Sequence, residues 1–309
     1  MPALPNFVVI GASRSGTTSL HDYLGQHPDV YVTPRKSPNY FVSADAQPER
    51  ENAHLQAMAR QWIASRQDYE SQFQGVSGER AVGDVSPVYM QSIYSAGRIR
   101  DALGADTKII AILRNPADRA YAHYLGRRRD GLEAGDDFDA IVDRELARSL
   151  DKEIAFGSYV GCGRYHHFLK PYFELFPAAN IRVYLFDQLQ DNPAALMRDL
   201  FAFLGVDSHF EVDASISRNR SGTIANPLLR SLWTGSVGMR TALRPYLPGW
   251  LRHAARPLLE LQVRKTPLED SSRRKILAAV RDDGVRLQQL LDMDLGHWFA
   301  VSSKANAER

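Results

Sequence analysis

Eight residues near the N-terminus, Gly11-Ala12-Ser13-Arg14-Ser15-Gly16-Thr17-Thr18, set two glycines at a G-x-x-x-x-G spacing around one arginine and two serines, with two threonines directly after. A loop of this kind turns successive backbone N–H groups toward one anion, so phosphate or sulfate is its natural guest. A nucleoside-triphosphate loop has the same spacing but carries Lys where this chain has Thr17. Arg14 is then the cation inside the loop, and its guanidinium offers a forked pair of donors. A plain glycine turn between a strand and a helix is the alternative. A second cation, Arg114, follows the apolar run Ile109-Ile110-Ala111-Ile112-Leu113 and precedes Asn115-Pro116. Open α/β sheets place ligand-binding residues at such strand ends. Cations at two sites suit a ligand with phosphates at two ends, although for Arg114 or Arg119 taken singly a surface ion pair is the more frequent arrangement.

These residues need elements to hold them. Phe7-Val8-Val9-Ile10 reads as a strand before the glycine loop, and Leu20, Tyr23 and Leu24 share one helical face after it, with Gly25 and Pro28 as stop signals. Val30-Tyr31-Val32 is a short strand leading into the proline-broken loop Thr33 to Phe41. Residues 47 to 72 read as a helix on the spacing of Leu55, Met58, Trp62 and Ile63, and Gly83 to Tyr89 as an extended segment. Helices are expected over 91–103, from Asp118 through Arg129, over 164–175, from Pro193 to Leu204 and over 270–291. Lys108–Leu113 and Ile181–Phe186 are the strongest strands, and the near-continuous apolarity of the first implies cover on both faces. Strands alternating with helices predict an α/β fold with a phosphate-loop-like parallel sheet, helical insertions and C-terminal helices. No linker divides the chain, so residues 1–309 are expected to form one domain.

The 309 residues are 44% hydrophobic and 24% charged, with a formal net charge of +2. That balance excludes disorder as the default and gives no ground for a nucleic-acid partner. The single cysteine, Cys162, forms no intrachain disulfide and fits a reducing compartment. With no secretory signal pattern and no apolar run long enough for a membrane span, a cytoplasmic protein is expected. His166 and His167 diverge on a helix and predict no shared metal. Arg127-Arg128-Arg129 and the Arg-rich stretch from Arg230 to Arg274 read as solvated faces; for the latter, which carries Trp233 and Trp250, contact with a membrane surface or an anionic acceptor is the alternative.

The segment Gly11 to Thr18, the loop Lys36-Ser37-Pro38-Asn39-Tyr40-Phe41 and the run Arg114-Asn115-Pro116-Ala117-Asp118-Arg119-Ala120-Tyr121-Ala122-His123-Tyr124 together resemble the sulfotransferase family, among its branches the bacterial members and the heparan-sulfate-type carbohydrate enzymes. Gly157-Ser158-Tyr159, Phe176-Pro177, Asp187-Gln188-Leu189 with Asn192-Pro193, Phe203-Leu204-Gly205-Val206 and Leu295-Gly296-His297-Trp298 extend the likeness over nearly the whole chain. The resemblance implies 3'-phosphoadenosine 5'-phosphosulfate (PAPS) as donor, a hydroxyl or amine of a carbohydrate or small metabolite as acceptor, and no metal. It implies that Arg14, Ser15, Gly16, Thr17 and Thr18 hold the 5'-phosphosulfate, with Arg14 where relatives have a catalytic lysine. Arg114 would bind the 3'-phosphate, and Arg218 and Arg220 would belong to a basic loop closing over the nucleotide or to a solvated loop.

Two positions depart from that pattern. Ala122 stands where the family normally adds a serine to the 3'-phosphate contacts, and Ser37 where relatives commonly place a glutamate base. Asp84 is the preferred replacement base, with His123 second; a structural turn carboxylate is the other reading of Asp84. The stretches 37–80, 126–160 and 227–265 are expected to shape the acceptor site. A nucleotide kinase or NTPase, and a nucleotide-binding protein without turnover, are the rival functions.

Overall fold

The structure is a computed structural model, and it describes residues 3–43, 61–130, 132–133, 135–148, 157–216, 223–224, 263–264 and 267–300. Strand β1 (Phe7–Gly11) is buried at every position because it lies in the middle of a sheet covered on both faces. Its neighbours are β3 (Ala81–Val85) and β4 (Lys108–Leu113), with β2 (Val30–Val32) and β5 (Ile181–Leu185) outside them, in the order β2-β3-β1-β4-β5. All four pairings are parallel. The chain fills one side of β1 with β2 and β3, then crosses to β4 and β5. That reversal makes the crevice beyond the carboxyl ends of β1 and β4 the switch point where such sheets receive ligands.

Alternation along the strands divides the core. Val8, Ile10, Ile109, Ala111 and Leu113 face one cluster, which also holds Tyr165, Phe168, Leu169 and Tyr172 of α7 (Tyr165–Leu175). Phe7, Val9, Ile110 and Ile112 face the other, with Leu20, Tyr23 and Leu24 of α1 (Thr17–Leu24) and Leu196, Met197, Leu200 and Phe201 of α9 (Pro193–Leu204). The near-continuous apolarity of β1 and β4 follows from this double cover.

A third cluster joins α5 (Pro116–Arg129), α6 (Phe138–Leu146) and α10 (Asp270–Ala279). Polar contacts reinforce it: Arg273 pairs with Asp118 at 2.7 Å, and Lys275 with Asp139 at 2.7 Å. Next along the chain, α11 (Arg281–Leu291) presents Asp283 to the start of α7, where its carboxylate accepts from the backbone N–H of His166 (2.9 Å) and His167 (3.1 Å). The adjacent histidines thus mark a capped helix terminus.

Several boundaries differ from the sequence pattern. The helix expected over 270–291 is two helices meeting at Val280, which is buried in the third cluster. Residue 186 does not extend β5: α8 (Phe186–Asp191) starts there, with Gln188 Oε1 accepting from the Leu185 N–H at 2.8 Å. After α2 (Tyr40–Ser43), residues 47–60 of the helix expected over 47–72 lie outside the described residues, and the remainder holds α3 (Arg66–Ser71), with Ser65 capping Asp68 N–H. The helix expected over 91–103 is a 3-10 turn, Tyr89–Gln91, followed by α4 (Ser95–Leu103). The stretch 227–265, with Trp233 and Trp250, lies outside the described residues except for the backbone of β7 (Val263–Arg264), which pairs antiparallel with β6 (Thr223–Ile224). No helix among the described residues is long and apolar enough to cross a membrane.

Candidate functional site

The glycine loop joins the carboxyl end of β1 to α1. Gly16 sits at the N-cap with φ 91°, and no side chain caps the helix, so the first-turn N–H groups are left to a guest. A Cβ at Gly16 would lie 2.7 Å from Leu189 Cδ2 and 3.1 Å from the Phe186 ring. Glycine is therefore needed twice over, for its left-handed backbone and for the close approach of α8. Ser15 and Thr17 are buried, while Thr18 is half-buried at the start of α1.

Arg14 takes a left-handed backbone, φ 71°, and its guanidinium lies against α5. A Cβ built on Gly126 would come 2.5 Å from Arg14 Nη2. Burial, together with the charge of Arg129, holds the guanidinium below its usual pKa. The loop's own cation is thus seated on a neighbouring helix.

Arg114, next after β4, turns back to the loop. Its Nη1 donates to the Arg14 carbonyl at 3.2 Å, and its guanidinium carbon lies 4.5 Å from the centre of the Phe186 ring. Its own carbonyl accepts from the Tyr165 hydroxyl at 2.8 Å. The two arginines separated in sequence therefore meet, one through its side chain and the other through its backbone. Arg119 forms no surface pair: it is 1% exposed and donates to the Tyr159 carbonyl.

Asp84 lies in β3 with no exposure. Its carboxylate accepts from the hydroxyls of Ser86 (2.6 Å), Tyr89 (2.7 Å) and Tyr69 (3.0 Å). Burial raises its pKa to about 6 against the pull of these donors. Enclosed by three hydroxyls, Asp84 has no face on which to meet an acceptor, so this geometry suits a scaffold carboxylate and not the base expected from the sequence. His123 is half-buried on α5, its ring 5.1 Å from that of Tyr159. It precedes Gly126 by three residues and so shares the face that seats Arg14.

The sequence reading gave no role to Lys36. The loop after β2 carries two non-glycine residues in the left-handed region, Ser37 (φ 62°) and Asn39 (φ 57°). It is held by Ser37 N–H on the Val85 carbonyl (3.1 Å) and Asn39 N–H on Ser86 Oγ (3.1 Å). This bend delivers Lys36 Nζ to Thr18 Oγ1 at 2.5 Å. Burial brings the ammonium down to about 8, with Asp22 opposing the shift and Arg14 adding to it. A signal is present in the sequence: Lys36 directly precedes Ser37, the position in that loop where the resemblance implies a base.

Gln91 binds two parts of the site together. Its Nε2 donates to Ser13 Oγ at 3.0 Å, and its Oε1 accepts from Gly157 N–H at 3.2 Å. The segment after Gly157 wraps around Glu145, whose carboxylate accepts from the backbone N–H of Tyr159 (2.8 Å), Val160 (2.9 Å) and Gly161 (3.0 Å) and from the Ser158 hydroxyl. Of the Arg127-Arg128-Arg129 run, expected to be solvated, all three are half-buried, and Arg128 donates to the Gly135 carbonyl at 2.8 Å. Arg218 and Arg220 lie outside the described residues. Among the described residues no group of three or more His, Cys, Asp or Glu is disposed to hold a metal ion.

A parallel α/β sheet with an uncapped loop–helix junction at its switch point, and cations converging on that junction, defines a protein of the phosphate-loop class. Within that class the chain belongs to the sulfotransferase family, whose model matches residues 5–211. It is similar to the membrane-associated sulfotransferase kil1 of Dictyostelium discoideum, 31% identical over 39% of this chain and 22% of that protein. It is also similar to heparan sulfate glucosamine 3-O-sulfotransferase 3B1 of Mus musculus, 26% identical over 67% of this chain and 49% of that protein. The chain thus spans between a fifth and a half of the length of these curated relatives. Among solved structures, a sulfotransferase from Alicyclobacillus acidocaldarius superimposes with a TM-score of 0.75 at 29% identity, covering 96% of this chain and 100% of that one.

Proposed function

We propose that the chain is a sulfotransferase that moves the sulfuryl group of PAPS to a hydroxyl or amine of a carbohydrate or small metabolite. The observation that carries this is the junction of β1 and α1, an anion site with uncapped N–H groups to which Arg114 and Lys36 both converge. The family supports the chemistry, and the carbohydrate acceptor rests on relatives that include a heparan sulfate glucosamine sulfotransferase.

In this reading the N–H groups of Gly16, Thr17 and Thr18 bind the 5'-phosphosulfate, where the helix terminus favours negative charge, while the Ser15 N–H donates to the Ala12 carbonyl at 3.3 Å. Arg114 has given one N–H to the loop and would offer others to the 3'-phosphate, its guanidinium carbon lying over the Phe186 ring. Ala122 adds no hydroxyl there, so that contact rests more heavily on Arg114. Arg14, fixed on Gly126, stabilises charge on the transferring group through a preset geometry. His123 is the better placed of the two candidate bases, since Asp84 is enclosed. A cytoplasmic setting belongs to the same proposal: Cys162 is a buried free thiol that needs no oxidising compartment.

Calorimetry with 3'-phosphoadenosine 5'-phosphate (PAP) and with ATP tests the donor. Micromolar binding of PAP, weaker binding of ATP and a loss of about 2 kcal/mol or more in Arg114→Ala are expected, since a charge-assisted contact to an anion is worth that much. Preference for ATP, with magnesium-dependent phosphate release, would replace this reading with a kinase or NTPase. Against that rival stands Thr17, where such enzymes need Lys.

A further inference from the structure

We propose that Lys36 is the side chain that meets the leaving phosphate of the donor and hands it a proton, the part that a lysine inside the glycine loop would otherwise play. The inference rests on the sulfuryl-transfer reading and assigns that site a catalytic residue.

Placement comes first. Lys36 Nζ touches Thr18 Oγ1, and Thr18 is the second residue of α1, on the turn whose N–H groups face an incoming anion. Its position is built: the loop that carries it is bent through two left-handed residues and tied to Val85 and Ser86. Ser86 in turn donates to Asp84. The enclosed carboxylate therefore serves the site at one remove, by holding the strut on which the Lys36 loop hangs.

Electrostatics come second. The charges that act on Lys36 are Asp22 from α1, which favours the ammonium, and Arg14 from the glycine loop, which opposes it. Arg14 itself feels Arg129 and Arg119. Two partly buried cations whose charges oppose one another are unfavourable until an anion comes near them, and a phosphosulfate is such an anion.

Chemistry decides between the two cations. Arg14 keeps its proton at neutral pH and its guanidinium is directed at Gly126. Lys36 titrates near 8, so it can release a proton and recover it. As the acceptor oxygen bonds to sulfur, the bond from sulfur to the bridging phosphate oxygen breaks. The Lys36 ammonium proton passes to that oxygen, water restores it, and the acceptor's proton leaves to solvent by way of His123.

Competitive acetylation of the lysines with acetic anhydride, with and without PAP, tests the contact in the unaltered protein. Protection of Lys36 by about tenfold or more is expected with exposed Lys170 as the unchanged reference, because a charge-assisted contact shifts the amine strongly toward its unreactive protonated form. The variants Lys36→Met and Lys36→Arg test the role, using single-turnover transfer of labelled sulfuryl from PAPS to a metabolite extract. Lys36→Arg should bind PAP within about threefold of wild type yet transfer about a hundredfold more slowly, the usual scale of lost proton transfer. Wild-type kcat/KM is expected to decline above about pH 8, and Lys36→Arg should lose that decline. An unprotected Lys36 in a protein that binds PAP, or Lys36→Arg turning over at the wild-type rate, overturns the assignment and leaves the donor reading standing. Failure of wild type to bind PAP overturns both.

Discussion

The guanidinium of Arg14 rests on the bare Cα of Gly126: a methyl group there would stand 2.5 Å from Nη2, 2.6 Å from Cζ and 2.7 Å from Nη1. A glycine inside a helix destabilises it by about 0.5–1 kcal/mol relative to alanine. Its presence in the last turn and a half of α5 is explained by what it seats.

Gly126→Ala separates stability from binding. The displaced atoms are the far end of a long side chain, so the helix gains while the arginine moves. The melting temperature should hold or rise by a few degrees, whereas PAP affinity measured by calorimetry should fall about tenfold, a loss of about 1.4 kcal/mol in a preset contact. Unchanged affinity would mean that the position of Arg14 is irrelevant to the donor.

Asp84 sets a pH dependence of unusual sign. Its folded pKa, about 6, lies above the reference value of 3.8, so the folded state holds a proton that the unfolded chain has released. Its contribution is complete below about pH 4 and is lost as pH rises to about 6, opposite to the common behaviour of paired carboxylates. Urea titrations of wild type and Asp84→Asn should show the difference between them changing across that window and level outside it. A flat difference from pH 3 to 8 would remove Asp84 as a titrating group.

Gln91→Ala should uncouple the glycine loop from the segment that begins at Gly157. Two hydrogen bonds are lost, each worth about 1 kcal/mol net, and one of them anchors Ser13. The donor KM is expected to rise several-fold with a drop in melting temperature of a few degrees.

Asp283→Ala provides the contrast. It removes the acceptor for two N–H groups at the start of α7, which costs about 1–2 kcal/mol of stability by urea denaturation. The donor site is untouched, so PAP affinity at a temperature where the protein is folded should equal that of wild type.

The parallel sheet was legible because strands buried on both faces carry continuous apolar runs, as β1 and β4 do. The anion loop was legible because its chemistry is local: glycine spacing, hydroxyls and the helix that follows are all contiguous. The direction of Arg14 was not, since it depends on the absence of a side chain at Gly126, far along the sequence. Asp84 misled for a related reason. Its motif reads as a polar turn, yet β3 carries it inward, and the hydroxyls that enclose it arrive from Tyr69, Ser86 and Tyr89. Lys36 could not be placed without the two left-handed residues after it, neither of which is glycine. The break at Val280 escaped because the apolar period continues across it while the backbone turns.

The carbonyl of Trp298 accepts from the side-chain amide of Asn115 at 3.1 Å, and Asn115, directly after Arg114, caps α5. The matched family segment ends at residue 211, yet the cap of α5 reaches beyond it for a partner. The transferable unit is therefore larger than the recognisable one: a chimera carrying only residues 5–211 into another host would leave Asn115 to find a substitute for the tail, and swaps between relatives should preserve the pairing of the two.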